Sequence, residues 1–270
     1  MKSKLLITLF LVLLVSCSES TLSDRSSKDW QLVWSDEFSV VGVPDTSKWE
    51  FDVEGNAWDW GNNEDQNYTP AENKNAWVEN GTLIIEARKE NYTAPEDNET
   101  KEYTSARLRT RNRGDWTYGK IEVSAKLPGG KGSWPAIWML STPEPYGGWP
   151  KSGEIDIMEN IGSEPTTIYV NAWNEGNEST DGTGGTVEVD SIYTNFHLYG
   201  LEWDSTELRF FVDGVQVHRY QKLGDATQWP YNHPFHLLLN LAIGGDWEGA
   251  ADPAIFPIRM EVDYVRVYQK

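Results

Sequence analysis

Hydrophobic and polar residues alternate with a period of two through most of the chain from Trp30 onward. Residues 120–127 read Lys-Ile-Glu-Val-Ser-Ala-Lys-Leu, and residues 260–268 combine β-branched and aromatic side chains with charged ones. This period is typical of strands that bury one face. Asp213-Gly214 and Asn80-Gly81 each separate two such runs, and these dipeptides favour tight hairpin turns. The pattern therefore predicts antiparallel strands joined by short turns.

No segment carries a sustained helical period with capping residues, and neither an internal repeat nor a second linker interrupts the body. We therefore expect one all-β domain over residues 30–270, built as a β-sandwich of two curved antiparallel sheets. A curved sheet offers a concave groove. Functional side chains on that groove should occur at every second position, because successive residues of a strand point to opposite faces.

The first seventeen residues have the pattern of an export signal. Two lysines precede an apolar run at residues 5–15, which is too short to span a bilayer. The run ends in Leu14-Val15-Ser16-Cys17, which resembles a bacterial lipobox. This pattern predicts a signal peptide at residues 1–16, lipidation of Cys17 and a flexible tether to residue 29. The protein would then lie outside the cytoplasm, anchored to the bacterial outer membrane. An ordinary secretion signal with an incidental cysteine is the alternative.

Charge and composition narrow the choice of ligand. The formal charge of −19 becomes −21 once residues 1–16, with their two lysines, are removed. Such a charge argues against nucleic acid and anionic membrane surfaces as partners, and it leaves neutral sugars and cations. The 14 Trp residues fit either an aromatic core or a groove that stacks sugar rings. The single cysteine excludes an intrachain disulfide and a Cys-rich zinc site.

The segment Glu154-Ile155-Asp156-Ile157-Met158-Glu159 is the most informative part of the chain. In a regular strand, Glu154 and Asp156 share one face and the isoleucines occupy the other. Strict alternation would turn Glu159 toward the core, where an unpaired carboxylate is costly. We therefore predict a β-bulge near Met158, which returns Glu159 to the acidic face.

Three carboxyl groups on one face suit glycoside hydrolysis. One carboxylate attacks the anomeric carbon or activates water, while a second, protonated carboxyl delivers a proton to the leaving oxygen. Asp156 would hold one glutamate in place. A solvated edge strand and a calcium site are the alternatives. The intervening isoleucines and the upstream tryptophans argue against the first, and the absence of an oxygen cage on a strand face argues against the second.

Six segments carry a family resemblance: residues 32–38, 60–64, 103–107, 134–139, 153–160 and 260–268. Through them the sequence resembles glycoside hydrolase family sixteen, in its bacterial laminarinase-like (endo-1,3-β-glucanase) branch, over about residues 30–269. The resemblance implies a β-jelly-roll and a retaining double displacement that needs no cofactor. It assigns Glu154 as nucleophile, Asp156 as assisting acid and Glu159 as general acid/base.

The resemblance also implies a set of substrate-binding positions. Trp173 stands where such enzymes usually carry a histidine, and this departure leaves the linkage preference open. From the residues alone, Trp138 could instead belong to the core, and Arg107 could be a solvated charge. The implied cleft residues are Asn63, Arg107, Trp134, Trp138, Trp149 and Trp173.

Many relatives in this family hold a structural calcium away from the cleft. The resemblance places it near Glu37 and Gly81, with the side chain of Asp263 as a ligand. Asp263 lies within a predicted strand, where an ion would give its carboxylate a partner.

The function expected from all of this is a monomeric, retaining endo-β-glucanase that cleaves 1,3-β-linkages of laminarin-like glucans. A mixed-linkage 1,3-1,4-β-glucanase, or a hydrolase of another neutral β-glycan, is the alternative within the family. Sulfated galactans are disfavoured because the negative charge would repel sulfate. A surface glycan-binding lipoprotein without turnover is the alternative from another class. A binder has no use for a matched acid pair, and a purely structural protein would not explain the acidic strand.

Overall fold

The computed structural model describes residues 30–180 and 182–270, so the predicted signal peptide, Cys17 and the tether lie outside the described residues. Its strands are β1 (Gln31–Asp36), β2 (Glu50–Phe51), β3 (Gln66–Tyr68), β4 (Ala76–Glu79), β5 (Thr82–Thr93), β6 (Thr100–Ser105), β7 (Arg107–Arg109), β8 (Asp115–Trp116), β9 (Gly119–Lys126), β10 (Ser133–Ser141), β11 (Glu154–Glu159), β12 (Thr167–Trp173), β13 (Gly185–Glu188), β14 (His197–Trp203), β15 (Glu207–Val212), β16 (Val215–Gln221), β17 (Phe235–Ile243) and β18 (Ile258–Gln269).

Helical structure within the described residues is limited to short segments. The α-helix α1 covers Gly245–Glu248, and 3₁₀ turns cover Glu54–Gly61, Ala71–Asn73, Glu178–Thr180 and Pro253–Ile255. None of these is long and apolar enough to cross a membrane. The all-β expectation is therefore confirmed.

Two sheets form the sandwich. The first has ten strands, in the order β16-β15-β14-β9-β18-β5-β6-β3, with β1 beside β18 and β4 beside β5. The second has eight, in the order β13-β12-β11-β10-β17-β7-β2, with β8 beside β17. The pairs are antiparallel apart from β3 with β6. Neighbouring strands such as β9 and β18 are distant in sequence, so the sheets depend on long-range pairing as well as on local hairpins.

The predicted alternation and both predicted hairpins are confirmed. Ile121, Val123 and Ala125 of β9 are fully buried between the sheets. Asp213-Gly214 joins β15 to β16, and Asn80-Gly81 joins β4 to β5. All four turn residues have positive φ, between 50° and 78°. Asn, Asp and Gly tolerate this conformation best, which explains why these dipeptides are reliable hairpin signals.

The central strands of the eight-stranded sheet form the surface that carries the predicted site residues. All nine residues of β17 are buried. β10 pairs with β17 on one side and with β11 on the other. One face of this sheet contributes to the core that the two sheets share. The opposite face carries the acidic residues and most of the tryptophans discussed below.

Candidate active site

The strand β11 contains the bulge that its sequence predicts. Against β10, Asp156 pairs with Trp138 and Met158 pairs with Ile137, so Ile157 is the extra residue. Against β12, two residues of β11 stand between the partners of Asn171 and Tyr169, where β12 has one. The bulge turns Glu159 back to the face that carries Glu154. The cost of burying an unpaired carboxylate explains why this strand departs from regular pleating.

The two faces of β11 differ sharply in environment. Ile155, Ile157 and Met158 are fully buried in the core. Glu154, Asp156 and Glu159 line a cavity of about 990 Å³ on the other face. Asp156 is 2% exposed, while the two glutamates are half-buried. The three carboxyl groups are therefore close together, partly dehydrated and open to a ligand in the cavity.

Burial raises the pKa of Glu154 to about 7. A hydrogen bond with Asp156, the indole of Trp149 and the charge of Arg107 all act in the opposite direction. Burial also raises the pKa of Glu159 to about 7, helped by the negative charge of Glu154. The indole Nε1 of Trp134 donates a hydrogen bond of 3.0 Å to Oε1 of Glu159, which favours the ionised form.

The pKa of Asp156 lies well above its usual range, because of burial and of the negative charges of Glu154 and Glu159. Its Oδ2 is buried without a hydrogen-bond partner, which is more tolerable for a neutral carboxyl than for a carboxylate. Burial and these neighbouring charges therefore favour the protonated form of Asp156, which can donate a hydrogen bond to Glu154.

Trp134 and Trp138 stand four residues apart on β10 and share its cavity face. Trp138 is half-buried, and its Nε1 donates to Oδ1 of Asn240 at 2.7 Å. Of the two possibilities left open for Trp138, the structure supports a place on the cavity wall. Both indoles present ring surface on which a sugar can stack.

Arg107, on β7, is not a solvated charge. Its guanidinium lies 4.4 Å from the ring centre of Trp60 and 4.7 Å from that of Trp138. Its Nε donates to Oδ2 of the buried Asp52 at 3.0 Å. The cation is therefore held between two indole rings on the cavity wall.

Trp173 pairs with Glu154 across β12 and β11, and its indole favours the ionised form of Asp156. The ring centres of Trp149 and Trp173 are 6.1 Å apart. Both residues line the cavity, and Trp149 is 55% exposed. The indole that stands in place of the expected histidine therefore lies beside the three acids of β11.

Asn63 does not line the cavity, although the resemblance implies a place for it in the cleft. It lies on the surface, and its Nδ2 donates to both carboxylate oxygens of Asp246, at 3.1 and 2.9 Å. Its positive φ of 53° reverses the chain at this point. Among the described residues, it is the neighbours Asn62 and Glu64 that line the cavity here.

Sequence reasoning missed several aromatic residues of the cleft. A second cavity of about 440 Å³ adjoins the first, and Trp58 and Trp60 line it together with Trp149. Trp247 on α1 packs edge-on against Trp134 at 5.3 Å and against Tyr169 at 4.8 Å. Trp60 begins the segment Trp60-Gly61-Asn62-Asn63-Glu64, and Trp58 lies two residues before it. This segment carries part of the family resemblance, so it could have indicated both residues. For Trp247, the preceding Gly244-Gly245 pair was the sequence feature that could have indicated a place in the cleft.

The side chains at the positions predicted for calcium are paired with other groups or exposed. The described residues contain no group of three or more His, Cys, Asp or Glu side chains suited to a metal ion. Both carboxylate oxygens of Glu37 accept hydrogen bonds from Arg266, at 2.9 and 2.8 Å. Asp263 is exposed at an irregularity in β18 and contacts Oγ of Ser124 at 3.4 Å. Glu37 therefore has only its backbone carbonyl to offer an ion.

The sheet register nevertheless brings these three positions into one region. In β18, Val262 pairs with Leu83, close to Gly81, and Val265 pairs with Asp36, next to Glu37. Asp263 lies between these two pairs. The backbone carbonyls of Glu37 and Gly81 and the carboxylate of Asp263 would offer an ion oxygen donors alone, the type that calcium prefers.

Fold and site together define a class of protein. A two-sheet jelly roll carries three coupled carboxyl groups on the floor of a cleft, and the cleft walls consist largely of indole rings. This combination is that of a glycoside hydrolase that acts through a carboxyl pair. The chain matches the sequence model of Glycosyl hydrolases family 16 over residues 62–266. It belongs to that family.

Individual relatives agree with this assignment. A beta-glucanase from Rhodothermus marinus is 47% identical over 277 residues, which cover 97% of this chain and 94% of that protein. The X-ray structure of the laminarinase from Rhodothermus marinus matches with a TM-score of 0.83 at 44% identity, over 89% of this chain and 97% of that one.

A crystal structure of a non-specific endo-β-1,3(4)-glucanase, co-crystallised with 1,3-β-D-cellotriosyl-glucose, is also similar. It matches with a TM-score of 0.86 at 42% identity, over 90% of this chain and 96% of that one.

Proposed function

We propose that this protein is a retaining endo-β-glucanase that hydrolyses 1,3-β-linkages of laminarin-like glucans. The observation that carries the proposal is the bulged strand β11, which presents Glu154, Asp156 and Glu159 together to an indole-walled cavity. The similar beta-glucanase and laminarinase support the linkage. Uncharged sugar rings suit the aromatic walls, and they avoid the electrostatic cost that a sulfated chain would meet at this negatively charged protein.

The mechanism follows from the protonation states of the acids. Ionised Glu154 attacks the anomeric carbon, while protonated Glu159 gives its proton to the glycosidic oxygen as the bond to the leaving sugar breaks. A covalent glycosyl ester on Glu154 results. Glu159, now ionised, takes a proton from water, whose oxygen attacks the anomeric carbon and releases Glu154. The two inversions together retain the β-configuration.

The electrostatic interaction between the two glutamates helps Glu159 to change from an acid in the first step to a base in the second. Its pKa is raised by burial and, in addition, by the negative charge of Glu154. That charge disappears when Glu154 becomes an ester. The pKa of Glu159 then falls, so the group that was an acid in the first step is ionised and ready to act as a base in the second.

Mixed-linkage 1,3-1,4-β-glucan is the second candidate substrate. The non-specific endo-β-1,3(4)-glucanase at 42% identity favours it. Incubation of residues 18–270 with laminarin, barley mixed-linkage glucan and agarose tests the proposal. We expect rapid release of oligosaccharides from laminarin. Cleavage of barley glucan alone would favour the second candidate, and binding without cleavage of any of these would support a glycan-binding protein instead.

We also propose that Cys17 is lipidated and anchors the enzyme to the outer membrane, outside the cytoplasm. The sequence of residues 1–17 supports this proposal. Wild-type cells labelled with an alkyne fatty acid should yield a labelled protein in the membrane fraction. Cys17→Ser should lose both the label and the membrane association. An unlabelled wild-type protein in the medium would support an ordinary secretion signal.

A structural calcium is proposed at the backbone carbonyls of Glu37 and Gly81 and the carboxylate of Asp263. The all-oxygen donor set supports it. Calcium added to chelator-treated enzyme should raise its Tm, and Asp263→Ala should remove that increase while leaving activity intact. An equal increase in wild type and variant would place the ion elsewhere. We propose further that the enzyme is a monomer, which light scattering would test.

A further inference from the structure

Burial alone does not decide which of the two catalytic glutamates is ionised. It raises the pKa of both Glu154 and Glu159 to about 7. The retaining mechanism needs one specific arrangement, with the nucleophile ionised and the acid protonated. The reverse arrangement is unproductive, so a charge that distinguishes the two positions would increase the productive fraction of the enzyme.

Arg107 is placed to make this distinction. Its guanidinium is held between the rings of Trp60 and Trp138, at 4.4 and 4.7 Å. Both Arg107 and Glu154 line the smaller cavity as well as the larger one, whereas Glu159 lines only the larger. The cation therefore lies toward the Glu154 end of the cleft. Its charge favours the ionised form of Glu154.

Arg107 shares its ion-pair partner with a second arginine. The buried carboxylate of Asp52 contacts Arg107 through Oδ2 at 3.0 Å and Arg109 through Oδ1, also at 3.0 Å. Arg109 makes further ion pairs with Glu50 and Glu54. Of these five groups, Arg107 is the one that also lines the larger cavity with Glu154. Its guanidinium is therefore the charge of this network that faces the acids of β11.

The other titratable groups that face Glu154 are acidic. Asp156 and Glu159 come from its own strand, and Tyr231 comes from the segment before β17. Trp149 and Trp173 contribute uncharged indoles. Burial and the neighbouring negative charges favour the neutral form of Asp156, and burial keeps the Tyr231 hydroxyl neutral. Arg107 therefore supplies the positive charge in this environment.

We propose that Arg107 is a positioning residue that selects Glu154, rather than Glu159, as the ionised member of the catalytic pair. Trp60 and Trp138 fix its planar guanidinium where this selection is effective. Their apolar rings also exclude water, which strengthens the interaction between the cation and the carboxylate. The inference rests on the two-carboxyl mechanism proposed above.

The direct test is a titration of the side-chain carboxyls by ¹³C NMR in enzyme without substrate. Glu154→Gln and Glu159→Gln would assign the two signals. Arg107→Met should raise the midpoint of Glu154 by about one pH unit, because an opposite charge nearby lowers a carboxyl pKa by about 1–3 units. The midpoint of Glu159 should move less. An unchanged midpoint for Glu154 would overturn the proposal.

Asp52→Asn supplies a control of opposite sign, because it removes the counter-charge and leaves an oxygen acceptor in place. The midpoint of Glu154 should fall in this variant, and a rise would contradict the proposal. Arg107→Lys keeps the charge without the planar stacking group, so its midpoint should lie between those of wild type and Arg107→Met. These two variants keep the proposal testable if Arg107→Met does not fold.

The pH profile of kcat/KM separates positioning from simple substrate binding. Arg107→Met should move the acid limb to higher pH by the same amount as the titration midpoint. A raised KM with an unmoved acid limb would mean that Arg107 only binds substrate, and would overturn the proposal. The titration needs no substrate, so it remains decisive even if the protein turns out not to cleave 1,3-β-glucans.

Discussion

At the scale of single residues, Glu154 and Glu159 differ in their partners more than in their burial. Trp134 donates to Glu159, while Asp156, Trp149 and Arg107 act on Glu154. These partners also fit the proposed chemistry. A nucleophile must be ionised when the first step begins, and Glu154 has a cation and a hydrogen bond with Asp156 that favour its ionised form. An acid/base must gain and lose a proton, and Glu159 has one neutral donor.

Glu159→Ala removes the proton donor and leaves the nucleophile in place. We expect a loss of activity of about 10²–10⁴-fold on laminarin, whose leaving sugar needs protonation, and a much smaller loss of the first step on an activated aryl β-glucoside. Pre-steady-state release of the aryl group measures that step. Equal losses on both substrates would show that Glu159 is not the acid.

The bulge in β11 and the shared face of its three acids could be predicted from sequence, because burying an unpaired carboxylate is costly. The position of Arg107 could not be predicted in the same way. Its contacts with Trp60 and Trp138 join segments that meet only through the pairing of β7, β17 and β10. Local alternation carries no information about such long-range pairing.

At the scale of elements, the short helix α1 connects the cleft wall to the loops that precede β10 and follow β11. Glu248, 5% exposed, accepts hydrogen bonds from the backbone N–H of Gly132, before β10, and from the N–H and hydroxyl of Ser163, after β11. The preceding residue, Trp247, packs on Trp134 and Tyr169. The carboxylate thus holds three loops together and keeps one wall of the cleft in place. Sequence alone gave no indication of this link, because its partners lie more than eighty residues away.

Glu248→Ala leaves the buried N–H of Gly132 without its acceptor, whereas water can reach the donors of the exposed Ser163. We expect the free energy of unfolding to fall by about 1–3 kcal/mol, which is the cost of one unsatisfied buried donor. KM for long glucans should rise as Trp247 loses its support. Urea denaturation and kinetics on laminarin measure the two effects. Glu248→Gln, which keeps one oxygen acceptor, is the matched control and should lose less. Unchanged stability in Glu248→Ala would contradict the role given to this carboxylate.

At the scale of the whole molecule, the ionised forms of Glu154 and Glu159 lower the stability of the folded protein. Burial raises the pKa of Glu154 and Glu159 from an ordinary 4.5 to about 7. Between these values the folded protein binds more protons than the unfolded chain does. The contribution of these groups to stability is therefore greatest below about pH 4.5 and falls as the pH rises to about 7. The active form of the site is thus the less stable one.

Glu159→Gln should consequently be more stable than wild type at pH 8, because a neutral amide can replace a buried charge while keeping an acceptor for Trp134. The difference in Tm should be several degrees at pH 8 and should vanish near pH 4. Scanning calorimetry at both values tests this expectation. A variant that is less stable than wild type at pH 8 would show that burial does not disfavour the ionised acid.

The central claim is that Glu154 attacks the sugar and forms a covalent intermediate. The most direct measurement is the intact mass of the enzyme after incubation with a 2-deoxy-2-fluoro laminaribiosyl fluoride, followed by peptide mapping. We predict a mass increase of one fluorinated disaccharide, located on Glu154 and absent in Glu154→Gln. A label on another residue, or hydrolysis of laminarin with the α-anomer formed first, would contradict the assignment.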